Sequence, residues 1–285
     1  MNFHSDRINA TAWAAMLLAT LTAVLATDRA HDAAAASPAT APAAATLKSN
    51  QASKRNQGSA AVLRGRVCIY NIFVSDAESA WSKDKENQVS RRMAEALEFL
   101  GDHAADYKVS VEFVQVSVKA DSKTLVPTDM FQRRGWLAQA IKTAAGMDPN
   151  DLVLSLKKQH RAEQVAVVVH VNKSGTSYNL SWSGLVQPPH ACEEAVMFDR
   201  YPSKEPTAAA SYAHEILHLF GAGELYFPFD QDDVRKKAAA KLWPTDIMRM
   251  VGYEIKKLTL GEFTAYRIGW METLKPEHRT FEDEG

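Results

Sequence analysis

Between residues 62 and 285 the apolar positions follow two periods. Residues 66–74 (RVCIYNIFV) and 164–171 (QVAVVVHV) are nearly continuous apolar, β-rich runs, which predict strands, the second covered on both faces. Residues 107–118 alternate, with Val109, Val111 and Phe113 set between polar neighbours, and predict a half-buried strand. A shorter, more polar strand is predicted at 176–183, after the Lys173-Ser174-Gly175 turn, and an extended edge at 191–201. Helical spacing marks 85–100, where Val89, Met93, Ala96, Leu97 and Leu100 form one stripe. Helices are also predicted at 129–145 and 149–159, punctuated by Gly146 and Pro149. After Pro206 the pattern turns to helices alone, at 206–220, 231–242 and 258–270. Strands with interleaved helices followed by helices only predict an α/β (α+β) domain, with an upper sheet-containing lobe, a smaller helical C-terminal lobe and a cleft between them.

The first sixty residues follow neither period. Residues 12–26 (AWAAMLLATLTAVLA) are uncharged and strongly apolar, flanked by Arg7 before and Asp28-Arg29 after. A weakly basic start, an apolar run short for a membrane span and small residues at its end predict a secretory signal peptide over about 1–30, with an uncleaved membrane anchor as the rival reading. Residues 33–46 contain only Ala, Pro, Ser and Thr. They offer no large side chain to bury, so 31–61 is read as a disordered linker and 62–285 as the folded domain. Secretion or a periplasmic address follows, with no membrane span after signal cleavage.

Composition changes little. The 285 residues carry 33 basic and 34 acidic side chains, for a net charge of −1. This balance gives no footprint for nucleic acid. Two cysteines, Cys68 and Cys192, are too few for a disulfide-dense fold or a four-cysteine metal site. Export would permit them to pair, and geometry must decide.

The chemistry concentrates in 212–226, YAHEILHLFGAGELY. His214 and His218 stand at i and i+4, about 400° apart around a helix, so both project from one side. Two imidazoles so placed can grip one zinc ion. Glu215, about 100° round from His214, lies close enough to take a proton from a water at that ion. Gly221 offers a helix stop, and Glu224 follows it. A chain reversed at Gly221 brings this carboxylate back as a third ligand and leaves a coordination position open, as catalytic zinc sites require.

HEILHLFGAGE resembles the extended zinc motif of the metzincin metalloproteases, HExxHxxGxx followed by His or Asp. Thr245-Asp246-Ile247-Met248 resembles that family's Met-turn, and 258–270 stands where the family has its C-terminal helix. The resemblance covers roughly residues 206–250. It implies a metzincin-like fold with a mixed twisted sheet, His214 and His218 as zinc ligands, Glu215 as general base, Gly221 as the turn and Met248 as the turn methionine. The departure is Glu224, where the family has His or Asp. Asp230, Asp232 and Asp233 are the neighbouring alternatives, Met250 competes with Met248, and Tyr253 lies further on than the family's assisting tyrosine. A thermolysin-like layout needs a carboxylate about twenty residues after His218, where this chain has KKAAAK instead.

The expectation is a secreted or periplasmic zinc endopeptidase acting on peptide or protein substrates laid along an edge strand. The rivals are a zinc-bearing binding module without turnover and a zinc amidase acting on a cell-wall link. His103, His160, His170 and His190 have no ligand spacing and are read as structural or surface residues. Asp246 is read as a turn cap, the basic run 235–241 as a solvated helix face, and Trp136, Trp182, Trp243 and Trp270 as core or cleft walls.

Overall fold

A computed structural model describes residues 57–128, 136–180, 191–226, 233–250 and 254–281, all within the unit Thr46–Gly285. The predicted signal segment and most of the linker lie outside the described residues. Five strands form one sheet: β1 (Gly65–Ser75), β2 (Val111–Asp121), β3 (Gln164–Ser174), β4 (Tyr178–Leu180) and β5 (Glu194–Arg200), in the order β2-β1-β3-β5-β4. All neighbours are parallel except β4, which runs antiparallel to β5. The fold class is therefore α/β, with a mixed sheet.

Helix α1 (Lys83–Asp106) connects β1 to β2; α2 (Trp136–Ala145) and α3 (Pro149–His160) connect β2 to β3. The first connection steps outward along the sheet and the second steps back across β1. Right-handed crossovers in opposite directions place their helices on opposite faces. The apolar side chains divide accordingly. Val67, Ile69 and Phe73 of β1 pack with α1 and with α4 (Ala209–Leu219). Cys68, Tyr70, Ile72 and Val74 pack with α2 and α3. β1 and β3 are buried along nearly their whole lengths, which is why both read as unbroken apolar runs.

Three boundaries differ from the sequence expectation. β2 begins at Val111 rather than residue 107, because Tyr107 ends α1 and Lys108 turns the chain with φ 58°. The strand at 194–200 is not an edge: it lies between β3 and β4, and β4 is the outermost strand on that side among the described residues. The expected 258–270 helix shrinks to α6 (Glu262–Arg267). Before it, Thr259 is extended, donating to the Thr245 carbonyl and accepting from the Ile247 amide. After it, Gly269 has φ 86° and ends the run.

Part of the predicted linker is ordered. Ser59 and Ala60 are fully buried. Ser59 Oγ donates to the Val165 carbonyl, and the Ala60 amide donates to Glu193 Oε2 at 2.8 Å. Small residues fit a strap that crosses the strand ends, so a composition typical of linkers conceals a packed segment at 57–61. Helix α5 (Asp233–Leu242), α6 and the 3₁₀ turns Ile255–Lys257 and Pro276–Phe281 complete the chain. Their apolar residues join the same cluster as α1 and α4. Cys68 and Cys192 are both buried thiols and are not joined in a disulfide. No helix among the described residues is long and apolar enough to cross a membrane.

Candidate metal centre

Helix α4 is buried at all eleven positions. Ala, Ile and Leu supply most of its surface, so His214, Glu215 and His218 are polar groups held in an apolar rod. At its N-terminus the Ala208 amide donates to the Tyr201 hydroxyl at 3.0 Å. At its other end Gly221 takes φ 93°, a conformation that disfavours side chains. The Gly221 and Ala222 amides donate to the carbonyls of His218 and Leu217. Arg267 Nε donates to the Gly221 carbonyl at 2.9 Å, placing a cation at the negative end of the helix.

The reversal brings Glu224 back to the two imidazoles. His214 Nε2 and His218 Nε2 lie 3.0 Å apart. Glu224 Oε1 is 3.1 Å from His218 Nε2 and 3.5 Å from His214 Nε2. A tetrahedral ion with bonds of about 2.0–2.1 Å would hold its ligand atoms about 3.3 Å apart, and the three separations bracket that value. The three residues are the group of described residues whose ligand atoms converge closely enough for one metal ion.

Backbone carbonyls set the imidazole tautomers. His214 Nδ1 lies 3.1 Å from the Ile247 carbonyl, and His218 Nδ1 lies 2.8 Å from that of Ala222. A carbonyl only accepts, so each Nδ1 carries hydrogen and, in a neutral ring, each Nε2 presents a lone pair inward. With both rings neutral, two lone pairs and a carboxylate oxygen converge as a donor set for a cation; a proton on His218 Nε2, facing Glu224 Oε1 at 3.1 Å, meets the same need. Burial pushes the His218 imidazole down, but Glu224 and then Glu215 outweigh it and hold its pKa up at about 9. Burial raises the Glu224 carboxyl, but the two imidazoles outweigh that and hold it well below the usual carboxylate range. The donor set thus fits a divalent metal, with tautomers fixed by second partners as metal-bound histidines require.

The turn at 245–248 builds the support for His214. Asp246 is fully buried. Its Oδ1 accepts from the Met248 amide at 2.7 Å, and its Oδ2 accepts from the Gly261 amide at 2.6 Å and the Thr264 hydroxyl at 3.0 Å. It is the cap the sequence suggested, and it ties the turn to the start of α6. A Cβ at Gly261 would stand 2.6 Å from the Trp243 ring and 2.8 Å from Asp246 Oδ2, so glycine permits this approach. Met248 is fully buried in the apolar cluster, and its carbonyl accepts from the Leu225 amide, one residue past Glu224. The turn therefore reaches both the first histidine and the returning loop through its backbone.

Glu215 does not join the cluster of three. Its Oε2 accepts from Asn179 Nδ2 of β4 at 3.2 Å. Sequence reasoning did not single out Asn179; the available signal was a lone polar position between Tyr178 and Leu180. It also passed over Tyr226, whose hydroxyl donates to Glu224 Oε1 at 2.9 Å and whose ring stacks on His214 at 6.5 Å. Asp230, Asp232, Tyr253, His190 and Trp182 lie outside the described residues, as does the side chain of Asp233. His103 pairs with Asp106, and His170 is buried against Phe73, as structural histidines.

No family model matches this chain. No curated protein matches it either. Among solved structures, it is similar to metalloproteinase-II from Bacteroides fragilis, at 12% identity and a TM-score of 0.39. The alignment covers 73% of this chain and 53% of that one, so this chain spans about half the length of that protein. Residue roles here rest on the geometry.

Proposed function

We propose that this protein is a secreted or periplasmic zinc-dependent endopeptidase, with His214, His218 and Glu224 as the metal ligands and Glu215 as the general base. One observation carries the reading: the two Nε2 atoms and Glu224 Oε1 converge at 3.0, 3.1 and 3.5 Å, beside a carboxylate on the next residue of the same buried helix. Two imidazoles and a carboxylate suit zinc or a non-haem iron centre. The glutamate directly after the first histidine favours zinc hydrolysis, since hydrolysis needs a base within reach of the attacking water. Zinc held there would supply Lewis-acid chemistry, lowering the pKa of a water and polarising the substrate carbonyl.

The chain's own contribution centres on Glu215. Its carboxylate takes a proton as the water oxygen adds to the carbonyl carbon. It then gives that proton to the amide nitrogen as the C–N bond breaks. His214 and His218 hold their rings through Nδ1–H donation to the carbonyls of Ile247 and Ala222, so the inward nitrogens need no reorganisation. Met248 lies in the turn that supports His214. The substrate is an extended peptide docked on the sheet edge by backbone hydrogen bonds, and the export signal belongs to residues 1–30.

Metal analysis and a peptide-library digest test this together. One zinc per chain and chelator-sensitive cleavage are expected. Glu215→Gln should keep the metal and lower hydrolysis by about 10²–10⁴-fold. Bound zinc with no cleavage at any pH would favour a non-catalytic module, release of a cell-wall fragment without peptide cleavage would favour an amidase, and bound iron would overturn the zinc assignment.

A further inference from the structure

We infer that Asn179 is a positioning residue that fixes the carboxylate of Glu215 from the sheet edge. The inference rests on the peptidase reading and adds a residue to its machinery. β4 has three residues, and its neighbours in sequence fix its orientation. Tyr178 and Leu180 pack in the cluster with α2 and α3. Strand alternation therefore turns Asn179 to the opposite face, where α4 lies. Asn179 pairs with Ala195 of β5, and Ala195 belongs to the cluster on the α4 face. An alanine there leaves room for the Asn179 side chain to reach past it to α4.

The contact is a charge-assisted hydrogen bond, Nδ2 to Glu215 Oε2 at 3.2 Å. A carboxylate only accepts, so the amide nitrogen must face it, and the side-chain orientation follows from chemistry. Glu215 is almost wholly buried. A long carboxylate side chain has several rotamers, and a base engages its proton within a narrow range of positions. Tying Oε2 to β4 removes rotation about the terminal bond and leaves Oε1 as the oxygen for proton transfer. It also joins the base to β4, the outermost described strand on this side, so base and docking edge keep one relative position. Asn179 touches neither the metal ligands nor the reacting atoms, and its effect passes through Glu215.

Three variants test this in the zinc-loaded full chain: Asn179→Leu, similar in size without a donor; Asn179→Asp, nearly isosteric with the donor replaced by a like charge; and Asn179→Gln, which keeps the amide. Asn179→Leu should lower kcat by about 10–100-fold, the range for losing a hydrogen bond to a charged group, with KM within about twofold, because substrate binding is not its task. Asn179→Asp should fall at least as far. Asn179→Gln should recover most of the lost kcat. Zinc stoichiometry and Tm should stay at parental values in all three. Unchanged kcat in Asn179→Leu overturns the inference, as does a loss carried by KM or a fall in Tm that Asn179→Gln shares without recovering kcat. Glu215→Gln is run alongside: if it is inactive while Asn179→Leu retains parental kcat, the positioning role fails and the peptidase reading stands. If Glu215→Gln is fully active, that reading fails first.

Discussion

The two faces of the sheet are built to different rules. On the α2/α3 face, strand residues such as Cys68, Ile72, Val165, Val167, Val169 and Val196 meet Leu137, Ile141, Leu152, Val153 and Leu156 in an apolar layer. On the α1/α4 face the strands bury polar side chains as well: Asn71, His170, Asn172 and Asp199. Each has a named partner. His170 Nε2 lies 2.9 Å from Asn71 Oδ1, Asn172 Oδ1 accepts from Lys85 Nζ at 2.7 Å, and Asp199 Oδ1 accepts from Arg92 Nη1 at 3.2 Å. The convergent imidazoles, Glu215 and Asp246 lie on this second side. Apolar packing is non-directional and tolerates approximate fit. Buried polar groups impose distances and angles, and leaving one unmatched costs about 1–3 kcal/mol. The α2/α3 face is mainly apolar, with its polar groups at the strand ends, as in the Lys173–Asp76 ion pair; the α1/α4 face buries polar groups along the middle of the strands and holds them in fixed directions.

Three perturbations sharpen that contrast. The largest effect is expected at the centre itself. His214→Ala should weaken zinc binding by on the order of 10³-fold or more, since the proposed three-ligand site is left with two. Excess zinc should raise the parental Tm, by about 2.7 kcal/mol of added stability at a hundredfold excess over Kd, and scarcely move that of His214→Ala. Thermal melts with and without metal read both. Next, Ile141→Ala on the apolar face should cost about 2–5 kcal/mol in denaturant unfolding while zinc affinity stays parental; a large change in affinity would show that the two faces are not separable. The third effect is graded with pH and absent at neutrality. Burial pushes the His170 imidazole down to about 3. Its stabilising contribution is thus complete above the unfolded pKa of about 6.5 and is lost as pH falls toward 3, at no more than about 1.4 kcal/mol per pH unit. Replacing His170 by Phe should remove this part of the acid slope in urea melts collected from pH 7 to pH 4.

The supports of the centre lie far apart along the chain. His214 relies on a carbonyl 33 positions later, and the turn bearing that carbonyl relies on Asp246, whose partners reach to Thr264. Glu215 relies on an amide 36 positions earlier. None of these links has a local spacing rule. The imidazole pair is different: i,i+4 on one helix is itself a geometric statement, and the glycine at the helix end lets the next loop fold back. The same reasoning explains the errors at the ends of elements. Residues 258–260 have a helical pattern, but backbone pairing with Thr245 and Ile247 holds them extended. Residues 191–201 read as an edge, but the sheet continues through β4, a strand of three residues.

The apolar periods along the chain were enough for the class of fold, the strand character of β1, the two-sided burial of β3, and the helix that carries two imidazoles on one side. Each is a short-range consequence of side-chain period and backbone geometry. Long-range folding was needed for the rest: that Glu224 reaches the imidazoles, that the strap at 57–61 is packed, that β5 lies inside the sheet beside β4, and that Asn179 and Tyr226 stand beside Glu215 and Glu224. These depend on which distant segments share a face, and that follows from the crossovers and from satisfying buried polar groups across the whole domain.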